Sequence, residues 1–173
     1  WSFEVYLTWN NFSNITLVRV QEVKVKQKPL KAKEVSKLIP GLELSKKDQV
    51  VLVEDENQKL ILVNKEPFFF YYEDKLVPTL KLLQTKDLLK KITVDMGAVK
   101  FVVNGADIMR PGITKIDADI KKEEAIVVVD ENNQKPLAVG IALLSAEEME
   151  KVSSGKVIKN IHYVGDEIWK KEW

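Results

Sequence analysis

Few residues in this chain could do covalent chemistry. His162 is the single histidine among 173 residues, and cysteine is absent. Without cysteine there is no disulfide, no thiolate nucleophile and no cysteine-based zinc site. His162 falls in an alternating apolar stretch with no serine or cysteine motif beside it, so it reads as a structural or surface residue of a strand rather than a general base. Ser145-Ala146-Glu147-Glu148 spells a capping box, hydroxyl first and carboxylate three on, which starts a helix and does not mark a catalytic serine. Asp117, Asp119, Glu123 and Glu124 crowd one polar loop without the spacing of a calcium site. No glycine-rich phosphate loop occurs. The expectation is a protein that is not an enzyme and uses neither cofactor nor metal.

Non-covalent recognition has more to work with. Lys24, Lys26, Lys28, Lys31, Lys33 and Lys37 crowd into fourteen residues with Glu34 the only acid among them. They form either a phosphate-facing patch or a solvated strand end and helix face. Pro67 to Tyr72 reads PFFFYY. Five consecutive aromatics could stack bases, but a strand buried on both faces is the commoner reading, with Tyr71 or Tyr72 the one to reach solvent. A third candidate is a helix over Gly97 to Asn104 with Asp95 as its cap. Its positive N-terminus, at Gly97 and Ala98, could meet a phosphate or a terminal ribose. Lys100 lies one turn in. Ala98, Phe101 and Val102 are expected in the core, with Val99 and Lys100 opposite. Arg110-Pro111-Gly112 then makes a sharp turn in which Gly112 can take positive φ. Arg110 is one of two arginines in the chain, and a guanidinium can fork onto phosphate or stack on a base.

Bulk charge does not carry these sites. The chain has net charge +1, divided as +3 over residues 1–90 and −2 over residues 91–173. A phosphate-binding face in the second half must therefore be local, with acids segregated elsewhere. A lysine-rich, cysteine-free composition is mildly typical of hyperthermophiles. No apolar run approaches the length of a membrane span, and no charged-then-apolar leader starts the chain, so the expected location is cytoplasmic. The chain opens on Trp1 rather than Met, which suggests a start that lies upstream or was processed. Asn11-Phe12-Ser13 and Asn14-Ile15-Thr16 match the glycosylation pattern and, without a secretory leader, read as a polar turn.

The elements that must position these residues follow from periodicity. Trp1 to Trp9 alternates apolar and polar, Asn10 to Asn14 is a turn, and Ile15 to Val25 returns, so a hairpin is expected. Leu30, Val35, Leu38 and Ile39 suggest a short helix that Pro40-Gly41 ends. Gln49 to Val53 and Leu60 to Val63 form a second hairpin, followed by the aromatic run. Pro78 suits the first turn of a helix carrying Leu80, Leu82 and Leu83. Gly105 stops the helix that Asp95 starts. Lys156 to Val164 alternates as the final strand, with Gly155 closing the capping-box helix. The boundary falls near residues 88 to 93 without a flexible linker, so the halves are expected to pack together.

Val94 to Ile113 (VDMGAVKFVVNGADIMRPGI), with AIVVVD, PLAVGIALLS and GKVIKNIHYVGDEIW downstream, resembles the PUA domain, a small RNA-binding β-barrel. NKEPFFFYYEDKLVPTLKLL upstream is similar to the family of malignant-T-cell-amplified-sequence proteins and their archaeal relatives, in which a small N-terminal domain precedes a PUA domain. The resemblance covers roughly residues 40 to 173. It implies an α+β chain: a small N-terminal α/β domain over residues 1–90 followed by a PUA-type β-barrel over residues 91–173. It also implies RNA (tRNA or rRNA) as partner, with contacts to the small ribosomal subunit, a tRNA acceptor end and an initiation-factor-like protein. In PUA domains the final strand lies beside the helix, which would bring Lys156, Lys159 and His162 to Gly97, Ala98, Lys100, Asn104, Arg110 and Gly112 as one basic RNA-binding face. A specificity module for an RNA-modifying enzyme and a protein-interaction module without RNA binding are the alternatives.

Overall fold

The computed structural model describes residues 25–170. The hairpin expected before residue 25 and Lys24 lie outside them. The first described strand, β1 (Lys26–Leu30), leads into α1 (Ala32–Leu38). Then come β2 (Val50–Glu54), β3 (Lys59–Val63), β4 (Glu66–Tyr72) and β5 (Lys75–Pro78). These five strands form one antiparallel sheet in chain order. Between β3 and β4 only Asn64 and Lys65 intervene, both at positive φ, which twists the tight turn to match its strands.

Thr79 caps the one-turn helix α2 (Leu80–Leu83). Pro78 therefore ends β5 and is not in the first helical turn, because Thr79 supplies the oxygen that the free N–H of Leu82 needs. Leu38, expected on the buried side of its helix, is exposed; Ala32 and Val35 are the residues that α1 buries.

The second half holds β6 (Lys91–Val94), α3 (Met96–Val102), β7 (Ile108–Met109), a 3₁₀ turn at Arg110–Gly112 and β8 (Ile113–Ile116). β9 (Ala125–Asp130), β10 (Pro136–Ala142), α4 (Ala146–Lys151), β11 (Lys156–Tyr163) and α5 (Glu167–Lys170) complete it. The sheet order is β7-β11-β10-β9-β6-β8. The two edge strands, β7 and β8, are joined by the single turn at Arg110–Gly112, so the chain itself closes the sheet toward a barrel. At Gly140 the β10–β11 register slips, and a Cβ there would stand 2.4 Å from Ile158. The capping box forms between Ser145 and Glu148, as the sequence spells it. α4 ends at Val152, so Gly155, at φ +93°, turns the chain into β11 rather than closing the helix.

β9 explains the uninterrupted apolar run AIVVVD. Ile126 and Val128 face the barrel core, while Val127 and Val129 face the first sheet. There they meet Leu60, Phe70, Val77 and Leu80 in a core shared by both halves. Within PFFFYY, Phe69 and Phe70 are buried and Tyr71 and Tyr72 are half-buried, so the run is mainly core.

Candidate nucleic-acid interface

α3 is held at both ends. Asp95 accepts the N–H of Ala98 at 2.8 Å, and its own N–H donates to Gly112 at 2.9 Å. Asn104 donates to the Lys100 carbonyl at 2.7 Å, tying down the last turn. Gly105 follows at φ +84° against the ring of Tyr163. On β11, Asn160 donates to the carbonyls of Val102 and Ala106, both at 3.0 Å, and so fixes the strand beside the helix.

The core stripe of α3 is Ala98, Val99, Val102 and Val103, two i,i+4 pairs side by side. Phe101 therefore points out and is 58% exposed, contrary to its expected core position, while Val99 packs inward. The largest apolar side chain is the wrong guide here; the paired spacing of 98/102 and 99/103 is the signal that points inward.

Phe101 lines a groove of about 490 Å³ between α3 and the Ile108–Gly112 segment. Gly97, Ala98 and Gly112 line it where α3 packs against the turn. Met109, 50% exposed, and Pro111 form the other wall. Gly112 does not have positive φ; a Cβ there would lie 3.0 Å from that of Ala98, so close packing is what the position asks for. Met109 is not legible in the sequence, since a two-residue strand has no period to read.

The charged residues divide. Lys100 is exposed with its ammonium 4.9 Å from the Phe101 ring. Lys156 pairs with Asp107 at 2.9 Å. Burial opposes the charge on Asp107, yet Lys156 and the N–H of Asn160 hold its carboxyl below the usual range. Lys159 is exposed, its ammonium 5.3 Å from the ring of Tyr72 on β4. Contact with Tyr72 and the nearby Glu73 and Asp107 hold that ammonium above the ordinary lysine value. Arg110 is half-buried and braces the fold: Nε donates to the Met149 carbonyl at 2.6 Å and Nη1 to that of Ile113 at 3.2 Å.

His162 does not join this face. It is 1% exposed at the junction between the two sheets. Leu80 donates its N–H to Nε2 at 3.1 Å, so the proton sits on Nδ1 and is donated to Asp166 at 2.7 Å. Nor is the start of α3 free for a phosphate. The helix is seven residues long, Asp95 takes the Ala98 N–H, and Glu131 takes that of Met96 at 3.1 Å. Two carboxylates at that end repel an anion.

The N-terminal lysines form a separate surface. Lys26, Lys28, Lys31, Lys33 and Lys37 are all exposed on β1 and α1, and Lys31 lies 3.6 Å from Glu34. Among the described residues no three potential ligands cluster as a metal site, and no helix is long and apolar enough to cross a membrane.

Residues 90–164 match the PUA domain family, and residues 25–86 match a domain of unknown function, DUF1947. An uncharacterized protein of Methanocaldococcus jannaschii is 51% identical over 73% of this chain and 78% of its own length. Translation machinery-associated protein 20 of Saccharomyces cerevisiae is 37% identical over 84% of this chain and 82% of its own. Malignant T-cell-amplified sequence 1 of Rattus norvegicus is 39% identical over 75% and 78%. The crystal structure of a hypothetical protein from Pyrococcus horikoshii superposes with a TM-score of 0.72 at 36% identity, covering 84% of this chain and 98% of that one.

Proposed function

The chain belongs to the family of PUA-domain proteins that includes translation machinery-associated protein 20 and malignant T-cell-amplified sequence 1, and from that premise we propose that it is a non-catalytic RNA-binding protein of translation. Its ligand in this reading is a single-stranded tRNA 3′ end, taken in the groove beside α3, with the small ribosomal subunit as the larger partner. One observation carries the reading: an exposed aromatic ring, Phe101, stands in an apolar groove flanked by Lys100 and Lys156. A splayed-out base can stack on such a ring while lysines meet its phosphates; a duplex hides its base faces.

The N-terminal lysines suit the phosphate backbone of ribosomal RNA, since a sequence-independent contact needs only accessible cations. The same groove, apolar and bearing Asp95 and Asp107, could instead take a protein segment. Binding separates the two. Fluorescence anisotropy with a tRNA bearing an intact single-stranded 3′ end should show affinity that Phe101→Ala with Lys100→Glu abolishes. Affinity kept within twofold by the folded double variant rules the groove out as the RNA site. Arg110 is left unaltered in this test because its guanidinium braces the fold.

A further inference from the structure

The groove has two unlike ends. At the start of α3, Asp95 and Glu131 are both acidic and the N–H groups they accept from are taken. A polyanion cannot continue past that end. At the other end Asp107 is paired with Lys156, and Lys159 stands beyond it, close enough to feel the Asp107 charge. Lys159 reaches across to the ring of Tyr72, which ends β4 in the other sheet. Lys156, Lys159 and Tyr72 thus continue the groove across the junction between the two halves of the chain.

We infer that single-stranded RNA leaves the groove at its Lys156 end and crosses onto the N-terminal sheet over Lys159, with a base stacked on Tyr72. This rests on the groove being the RNA site, and adds that the first sheet contributes to the same strand. In the free protein Lys159 covers the Tyr72 ring. A cation–π contact at an exposed site is weaker than the stacking of a base on tyrosine, so a base can displace it. The released ammonium then meets a phosphate within its reach, so the ring and the cation each exchange one partner for another. Tyr72 is only half-buried, which leaves its ring accessible once Lys159 moves.

The test uses the full chain with a trinucleotide and a nonanucleotide of the same 3′ sequence, titrated by anisotropy. The wild type should bind the longer RNA more tightly. Tyr72→Ala should remove about fivefold or more of that gain while leaving the trinucleotide unchanged. Tyr72→Phe should restore the gain, since stacking needs the ring and not the hydroxyl. Lys159→Glu, at an exposed position, gives the same reading if Tyr72→Ala does not fold. A gain that both Tyr72→Ala and Lys159→Glu retain overturns the path. So does a wild type with no gain from length. A wild type that binds neither RNA removes the groove reading itself, and this inference with it.

Discussion

At the scale of single residues, the chain's one histidine ties the two sheets together at their junction. Leu80 N–H is a first-turn donor of α2, which no carbonyl of its own helix can satisfy. His162 reaches it from β11 with Nε2. His162→Phe keeps a ring of similar bulk but leaves that donor buried and unpaired. The expected cost is about 1–3 kcal/mol in chemical denaturation, with RNA affinity unchanged. A drop in affinity without a drop in stability would contradict the assignment. The partner carboxylate sets the pH dependence. Burial raises the Asp166 carboxyl, but His162 and the N–H groups of Tyr163 and Trp169 outweigh it and hold it below the ordinary value. A depressed carboxyl contributes stability that is fully present above about pH 4 and disappears as pH falls through the lowered native value. Asp166→Asn should flatten that acid limb. A variant with the wild-type limb would place the acid sensitivity elsewhere.

At the scale of elements, the N-terminal lysines separate a charged face from a bound one. Five of them are exposed on β1 and α1. Reversing Lys28, Lys33 and Lys37 to Glu should weaken association with small ribosomal subunits. The log–log salt slope should fall by about 0.7–0.9 for every phosphate that a reversed lysine no longer neutralises. An unchanged slope in the folded variant means these lysines only solvate the edge of the sheet. Which elements exist is legible in the sequence because their signals are local. Asp95 and Ser145 cap the helices they are expected to cap, and Gly105 stops α3 at positive φ. What the side chains do is less legible, because it depends on partners distant in sequence. Arg110 has the type and place of a phosphate fork and instead binds two carbonyls, one of them 39 residues away. His162 has the spacing of a basic face and is satisfied by a donor 82 residues upstream. Gly112 has the setting of a residue needing positive φ and instead needs to be small beside Ala98. Gly112→Val should shift α3 against its turn, lowering the melting temperature and RNA affinity together. A variant that melts and binds as wild type would mean that α3 yields without consequence.

At the scale of the whole molecule, the two sheets share one core, and this governs how the chain unfolds. β9 is apolar on both faces because one faces the barrel and the other faces β3, β4 and α2. Val127, Val129 and Val139 would all be uncovered if the first sheet came away, and His162 would part from Leu80. Exposing three buried valines costs several kcal/mol, at about 1.5–3 each, which approaches the whole stability of a typical domain. The halves should therefore not unfold independently, although different families match them. With Trp1, Trp9 and Trp173 replaced by Phe, the fluorescence of Trp169, which packs on the shared core, reports that region, while circular dichroism reports both sheets. Urea unfolding of the full chain should give coincident transitions by the two probes. A fragment of residues 90–170 should bind a hydrophobic dye, and Val127→Asp in the full chain should destabilise both sheets at once. Two separated transitions, or a fragment as stable as the full chain, would mean that the shared valines add little and that the halves are joined chiefly by the chain between them.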